Sequence, residues 1–476
     1  MKVLFAASEG APFLKSGGLG DVIEALPAHL AEREQVEVSV ILPLYKKIKQ
    51  NEKNRLEFLT SFSMPSPLSE SYVGVFRIKL GRVNYFFIDN EYYFYRDGTP
   101  YGHGDDGARF VFFSRAVLEC LRHIEYYPDI IHLNDWQTAA IPVLLRAFYK
   151  ALPAYARIRT VFTIHNIEYQ GRMPAGFAES VMGLPVEYHG AARYGDSVNL
   201  MKCAILLSDR VTTVSRTYAE ELKYAYFSHG LDPVIKENEY KLSGIVNGIN
   251  TAVFDPRKDP NLPAPFSHED VGGKAICKSA LQRELGLPVC EEIPLIAMIT
   301  RLVPHKGLDL VECVLDDILA RDVQLVLLGT GDARYEDLFR FAEYTHPDKM
   351  KAEIRFDSAF SSRLYAASDL YLMPSKSEPC GLSQLIAMRY GSIPIVRETG
   401  GLFDTVPALN TETLEGRGFT FRAFNAHHML DAIDRAVAFF HDTKKRKAHV
   451  RALIAYNSDW EASAGEYLSI YQSLLV

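Results

Sequence analysis

The sequence predicts an α/β protein made of two tandem Rossmann-like domains, and three observations carry that prediction. Short apolar runs alternate with amphipathic helical patterns through the first half, as a parallel sheet covered on both faces requires. The alternation stops at a proline-rich stretch, 251–272, and then starts again. A chain of 476 residues is also too long for one ordinary core, whereas two large α/β domains fit it.

In chain order, near-continuous apolar runs read as buried strands over 2–7, 37–42, 130–133, 160–164, 210–214 and 243–246. Apolar positions at helical spacing place helices over 21–33, 106–121, 137–150 and 196–207. A hairpin is expected to interrupt this order, because apolar runs at 72–80 and 83–89 flank the two-residue loop Gly81-Arg82. Pro256, Pro260, Pro263 and Pro265, with Pro288 just beyond and few periodic apolar positions, make 251–272 the linker candidate. Strands resume over 294–300, 323–328, 352–356, 369–373, 393–396 and 419–421. Tyr467, Leu468, Tyr471 and Leu474 then give a final helix that could pack on either domain. The division expected is an N-terminal domain over 1–246, with the segment at about 460–476 a candidate to pack on it, and a C-terminal domain over 247–459. Open α/β sheets bind ligands beyond the carboxyl ends of their strands, so the active site is expected in an interdomain cleft.

Bulk properties exclude several functions. A net charge of −7 argues against a broad nucleic-acid face, though it leaves room for a local basic pocket. Apolar content of 48 % and charged content of 23 % are those of a soluble globular chain. Cys120, Cys203, Cys277, Cys290, Cys313 and Cys380 lack CxxC or Cys/His metal spacing and read as reduced thiols, so no metal site is expected. The opening MKVLFAASEG is broken by Glu9 and reads as a first strand rather than a signal peptide. No apolar run reaches the roughly 18 residues of a membrane span. A cytoplasmic location without membrane partners is expected.

The residues suited to chemistry follow strands. After the first comes Lys15-Ser-Gly-Gly-Leu-Gly-Asp21, where Gly17 and Gly18 let the backbone approach a ligand and Lys15 supplies a point charge for a phosphate. It is neither GxGxxG nor GxxxxGK[ST], which disfavours a nicotinamide fingerprint and a P-loop; a plain tight connection is the competing reading. Asn134, Asp135 and Trp136 follow another strand, and His165 and Asn166 follow the next; polar pairs on neighbouring strand ends suit the hydroxyls of a polar ligand. Arg301 and Lys306 lie between a strand and a helix start, where the dipole repels cations unless an anion sits between them. In MPSKSEPCGLSQLI, 373–386, Glu378 occupies a turn at the mouth of a helix whose first amides, from about Gly381, suit a phosphate. The bland alternative is a helix-start carboxylate with no further role. Among Tyr92, Tyr93, Phe94 and Tyr95, flat aromatic faces could meet a sugar; an edge strand is the simpler reading, favoured for Tyr93 and left open for Tyr95.

Taken together, KSGGLGDV at 15–22, TIHNIEYQG at 163–171, TRLVPHKG at 300–307 and EPCGLSQLIAMRYG at 378–391 closely resemble the bacterial glycogen synthase and plant starch synthase family. TVSRTYAEEL at 213–222, NGINTAVFDP at 247–256 and TGGLFDTV at 399–406 extend the resemblance over nearly the whole chain. It implies the glycosyltransferase-B (GT-B) architecture and transfer of glucose from ADP-glucose to the non-reducing end of an α-1,4-glucan, with retention of configuration and without a metal or other cofactor. The partners implied are ADP-glucose and a glucan such as glycogen or a maltooligosaccharide. Residue by residue, the resemblance puts Lys15, Gly17 and Gly18 at the donor phosphates and glucose. It puts Asp135, His165 and Asn166 around the glucose, with His165 on its 6-hydroxyl, and Asn247 in the cleft. Arg301 and Lys306 would clamp the diphosphate and Glu378 would hold the transferred glucose. Cys380, Gly381, Leu382 and Ser383 would present the helix start, Phe356 would stack on adenine, and Tyr95 would contact the acceptor. Ser383 stands where Thr is commoner, Phe356 where Tyr is commoner and His305 where Gln is frequent. Ile386 stands where many other retaining glycosyltransferases carry a second Glu, which favours the synthase family over those relatives. The rivals are a retaining glycosyltransferase using UDP-glucose or another sugar nucleotide, a pyridoxal-phosphate phosphorylase, and a non-catalytic glucan-binding protein.

Overall fold

The computed structural model describes residues 1–65, 67 and 70–475, so the last residue of the expected terminal segment, Val476, lies outside the described residues. The chain divides into two units: Met1–Asn247 together with the segment from Trp460, and Gly248–Asp459.

The first unit is built on strands β1 (Lys2–Ala6), β2 (Glu37–Pro43), β3 (Glu57–Pro65), β4 (Glu70–Leu80), β5 (Val83–Asp89), β6 (Ile130–Asn134) and β7 (Arg159–Ile164). Arg172–Pro174, Arg193–Tyr194 and Ser197–Asn199 form β8, β9 and β10 of a small separate sheet, and Arg210–Thr213 and Leu242–Gly244 form β11 and β12 of the main one. The main sheet has nine strands in the order β12-β11-β7-β6-β1-β2-β5-β4-β3. Every pair from β12 to β5 is parallel, with Val3 opposite Val38 on one side and Ile130 on the other. Such strands are covered on both faces, and Val3, Leu4, Phe5 and Ala6 are accordingly fully buried.

Several sequence expectations need correction here. The hairpin forms with Leu80 opposite Val83, but β3 pairs with its outer strand and was not foreseen. Most of β3 is exposed on an edge, so its side chains alternate too weakly to stand out. The segment expected as helix over 196–207 begins as β10, and the helix starts only at Leu200, where the Asn199 side chain accepts from Lys202 N at 2.9 Å. The stretch at 137–150 is broken into a 3-10 turn (Trp136–Thr138), a short α-helix (Ile141–Leu144) and a π-turn (Leu145–Tyr149). Pro142 lies in the first turn of the middle piece, where its missing N–H costs no helical bond. Likewise Tyr92, Tyr93 and Phe94 belong to a one-turn helix, Glu91–Phe94, capped by Asn90, rather than to an edge strand.

The terminal helix Glu461–Ser473 belongs to the first unit. Trp460, Ala464, Tyr467 and Tyr471 join its core, and the Tyr471 hydroxyl lies 2.6 Å from His132 Nδ1, whose ring reaches Thr163 Oγ1 through Nε2 at 2.6 Å.

The second unit carries β13 (Leu295–Ile299), β14 (Gln324–Leu328), β15 (Met350–Glu353), β16 (Leu370–Met373), β17 (Ile393–Arg397) and β18 (Phe419–Phe421). They form an all-parallel sheet in the order β15-β14-β13-β16-β17-β18. The proline-rich stretch 251–272 is part of this unit rather than a linker between units. Arg257 donates to the buried Asp255 carboxylate at 2.7 Å, and Tyr390 donates to Asp259 at 2.6 Å. Strand β15 ends before Phe356, because Asp357 caps the next helix by accepting from Phe360 N at 2.9 Å and turns the chain. Phe356 is thereby left 89 % exposed.

In both sheets the strand order reverses at a central pair, β1 with β6 and β13 with β16. The crevice beyond the carboxyl ends of such a pair is where open α/β sheets hold ligands.

Candidate active site

In the first unit the residues beyond β1, β6 and β7 interlock. The glycine-rich loop runs from β1 into the helix Gly18–Ala31, which begins inside the glycine run rather than at Asp21. Lys15 Nζ donates to Asp21 Oδ1 at 2.6 Å across the loop. Beyond β6, Asp135 takes a backbone φ of +57°, costly for a residue with a side chain, and this aims its carboxylate at the end of β7. Asp135 Oδ1 accepts from His165 N at 2.8 Å and Asn166 N at 3.4 Å. Burial pushes the Asp135 carboxyl up to about 7 and the His165 imidazole down to about 3, so the ring is neutral near pH 7. His165 Nε2 lies 2.9 Å from Asn134 Oδ1, which fixes the ring plane. Asn166 folds back to accept from Glu168 N at 3.0 Å. Asn247 is buried at the end of this unit's main segment. Tyr95 closes the one-turn helix, with Lys46 and Lys49 ammonium groups 5.5 and 5.8 Å from its ring centre.

In the second unit the switch point brings together Lys306, beyond β13, and Glu378, beyond β16. Lys306 Nζ donates to Glu378 Oε2 at 2.6 Å, and Ser375 Oγ donates to the same oxygen at 3.0 Å. Glu378 is only 6 % exposed, so its charge is held by these bonds in a region with little water. The backbone of this corner is drawn tight. At Gly307 any Cβ would lie 2.1 Å from the Pro374 carbonyl oxygen, and at Gly401 it would lie 2.0 Å from that of Cys380. Gly401 N also donates to Glu378 O at 3.0 Å, which seats the carboxylate's own backbone. Cys380, Gly381 and Leu382 form the turn before the helix Ser383–Arg389, which starts slightly later than expected. Gln384 staples that turn by donating to the Gly381 carbonyl at 2.8 Å and to Thr405 Oγ1 at 3.0 Å. Arg301 follows β13 on the surface, and Phe356 follows β15 with its ring exposed.

The fold thus joins Asp135 to His165 and Asn166, and Lys306 to Glu378. Sequence reasoning missed Glu9, Tyr101 and Ser375. Glu9 is 2 % exposed and accepts from the backbone of Ser16 at 3.0 Å and of Gly17 at 3.2 Å. A carboxylate three residues past a buried strand was a visible signal; its partners were not. Among the described residues there is no group of three or more His, Cys, Asp or Glu side chains placed to hold a metal ion, and no helix long and apolar enough to cross a membrane.

Comparison with known proteins agrees with this architecture. Residues 2–237 match the family model described as starch synthase catalytic domain, and residues 287–451 match glycosyl transferases group 1. The chain is 47 % identical to a glycogen synthase of Exiguobacterium sibiricum, covering 99 % of each. It is 46 % identical to one of Desulforamulus reducens, covering 100 % of this chain and 99 % of that one. The catalytic domain of starch synthase IV from Arabidopsis thaliana, solved with ADP and acarbose, superposes with a TM-score of 0.91 at 36 % identity, covering 100 % of this chain and 99 % of that one. A sucrose-phosphate synthase from Thermosynechococcus elongatus shares the fold, with a TM-score of 0.63 at 18 % identity over 99 % of this chain and 98 % of that one. These matches, on two α/β units with polar residues at both switch points, define a glycosyltransferase of the GT-B architecture. More narrowly, the chain belongs to the glycogen and starch synthase family.

Proposed function

We propose that the protein transfers glucose from ADP-glucose to the non-reducing end of an α-1,4-glucan, with retention of configuration. The observation that carries the reading is the Lys306–Glu378 pair at the switch point of the second sheet, 2.6 Å apart, in a chain related to glycogen synthases over its full length. A relative solved with ADP and acarbose supports a nucleotide and a glucan as the ligand classes.

As the anomeric C–O bond stretches, negative charge grows on the departing ADP and positive charge on the sugar ring. Arg301, Lys306, Lys15, the Gly18 amide and the amides of the turn Cys380 to Ser383 are assigned to the first, and Gly17, whose own amide is held by Glu9, is assigned to close backbone approach to the donor. Glu378 is assigned to the second, and to holding the transferred glucose in place. Asp135, His165 and Asn166 are assigned to the glucose hydroxyls. A neutral His165 fits a hydroxyl partner, since an imidazolium would oppose the charge growing on the ring. The departing phosphate oxygen takes the proton of the acceptor hydroxyl on the same face, so no protein nucleophile is needed. Asn247 is assigned to substrate binding, Phe356 to the adenine face and Tyr95 to the acceptor.

The scheme uses no metal or other cofactor, because fixed cations and backbone N–H groups meet the departing charge. Transfer is therefore expected to persist in excess EDTA, and loss of transfer restored by a divalent cation would contradict it. A cytoplasmic setting without nucleic-acid or membrane partners completes the proposal. The deciding experiment offers ADP-glucose and UDP-glucose in parallel with glycogen and measures glucose incorporated. Preference for ADP-glucose is expected. Faster turnover of UDP-glucose would favour the rival donor, and glycogen binding without incorporation from either would favour a non-catalytic glucan-binding protein.

A further inference from the structure

The glycine-rich loop assigned to the donor is held by more than its own bonds, which include Lys15 to Asp21 and Gly20 N to the Gly17 carbonyl. Behind it lies Glu9, 2 % exposed, just beyond β1. Four donors converge on its two carboxylate oxygens. Oε1 accepts from Gly17 N at 3.2 Å, and Oε2 accepts from Ser16 N at 3.0 Å, from the Ser16 hydroxyl, and from the Tyr101 hydroxyl at 3.2 Å. The Tyr101 oxygen also lies 2.8 Å from Ser8 Oγ, so the loop at 96–104 is tied to the same point. With the Ser16 and Gly17 amides held by Glu9, the groups left to face a ligand are the Lys15 side chain and the helix start at Gly18.

Resting on the donor-binding role given to this loop above, we propose that Glu9 is a positioning residue for the nucleotide sugar: it locks Ser16 and Gly17 so that Lys15 and Gly18 are set for the donor, with Tyr101 as its brace. Only a carboxylate satisfies all four donors. A glutamine keeps one acceptor oxygen but turns an NH2 group toward donors, and an aspartate is one methylene too short to span the loop. Burial raises the Glu9 carboxyl above the ordinary carboxylate value, and its bonds to Ser16 and Tyr101 oppose that rise without cancelling it.

The test uses the full chain with Glu9→Gln, Tyr101→Phe and the double substitution, measuring steady-state transfer from ADP-glucose to glycogen and, separately, ADP affinity by calorimetry. Glu9→Gln is expected to raise KM for ADP-glucose and Kd for ADP about tenfold, with kcat changed less than about threefold. Tyr101→Phe is expected to give about a threefold rise, and the double variant is expected to be no worse than Glu9→Gln alone, because both act on one hydrogen-bonded unit. Unchanged KM and Kd in a folded Glu9→Gln protein would overturn the proposal, as would a double variant whose effects simply multiply. Should Glu9→Gln fail to fold, Ser16→Ala removes one of the four donors; a two- to fourfold rise in Kd for ADP supports the proposal and no change refutes it. Calorimetry needs no turnover, so a wild-type chain that binds ADP without transferring glucose would count against the function, whereas unaltered ADP affinity in the variants would count against Glu9.

Discussion

At the scale of single residues, the site rests on charges held where water is scarce. Glu378 accepts from Lys306 and Ser375 through one oxygen, so the carboxylate keeps its place without a ligand. Glu378→Gln keeps the size and the Ser375 bond but removes the negative charge that the proposal assigns to the growing sugar cation. A loss of kcat of at least about a hundredfold is expected, in line with the removal of one preorganised electrostatic group. Circular dichroism and the melting temperature are expected to stay near those of the wild type, and retained kcat would reject the assignment. Glu378 was legible in the sequence because a buried strand, a turn and a helix start mark such a position locally. Ser375 carries no such mark, and for Glu9 the strand before it was legible while its burial and its partners from other turns were not. Phe356 reads as a strand residue because Ala352, Ile354 and Phe356 alternate with Glu353 and Arg355 as in a half-buried strand, while the cap at Asp357 is what turns the chain.

At the scale of elements, close backbone approach sets the corner that carries Glu378. A methyl group at Gly401 would lie 2.0 Å from the Cys380 carbonyl, so Gly401→Ala has to move one of two backbone segments. About 1–3 kcal/mol of stability is expected to be lost, as for overpacking generally, together with transfer activity. Denaturant midpoints and the incorporation assay check both, and a variant as stable and active as the wild type would show that the corner yields freely. A second element-scale device is His132, which joins β6, β7 and the terminal helix through Thr163 and Tyr471. Burial pushes its imidazole down to about 3, below the ordinary value of about 6.5, so the unfolded chain binds the extra proton. Its contribution is fully present above about pH 6.5 and is lost as pH falls toward 3, costing about 2 kcal/mol at pH 5. Replacing His132 by Gln is therefore expected to make the drop in unfolding free energy between pH 7 and pH 5 smaller by about that amount. His165 has the same sign and Asp135 the opposite one, so only a variant confined to His132 isolates the effect; an unchanged pH dependence would contradict it. The central parallel strands were legible because both their faces are buried. Edge strand β3 and the small sheet were not, because their residues carry no comparable pattern.

At the scale of the whole molecule, the chain leaves the first unit after Asn247 and returns to it at Trp460. The two ends of the second unit are fastened to each other: Ile249 N donates to Ser458 O at 2.8 Å, Ile249 forms a bridge with Asp459, and the Thr251 hydroxyl donates to the Asp459 carboxylate. The second unit is thus continuous in sequence and closed at its own ends, whereas the first is assembled from two separated segments. The terminal helix was legible as an amphipathic segment, yet its docking was not, since an apolar stripe shows that a helix packs without showing on what. An asymmetry follows. A fragment spanning 248–459 is expected to fold by itself, with a cooperative melt and dispersed amide resonances. A fragment ending at 247 lacks Trp460, Tyr467 and Tyr471, whose burial is worth about 1.5–3 kcal/mol for each large side chain, against a net stability of about 5–15 kcal/mol for a whole domain. It also leaves His132 without Tyr471. That fragment is expected to melt at markedly lower temperature or without cooperativity, and to regain order when a peptide covering 460–475 is added. A fragment ending at 247 that melts like the intact chain, unaffected by the peptide, would show that the terminal helix is dispensable to the first core.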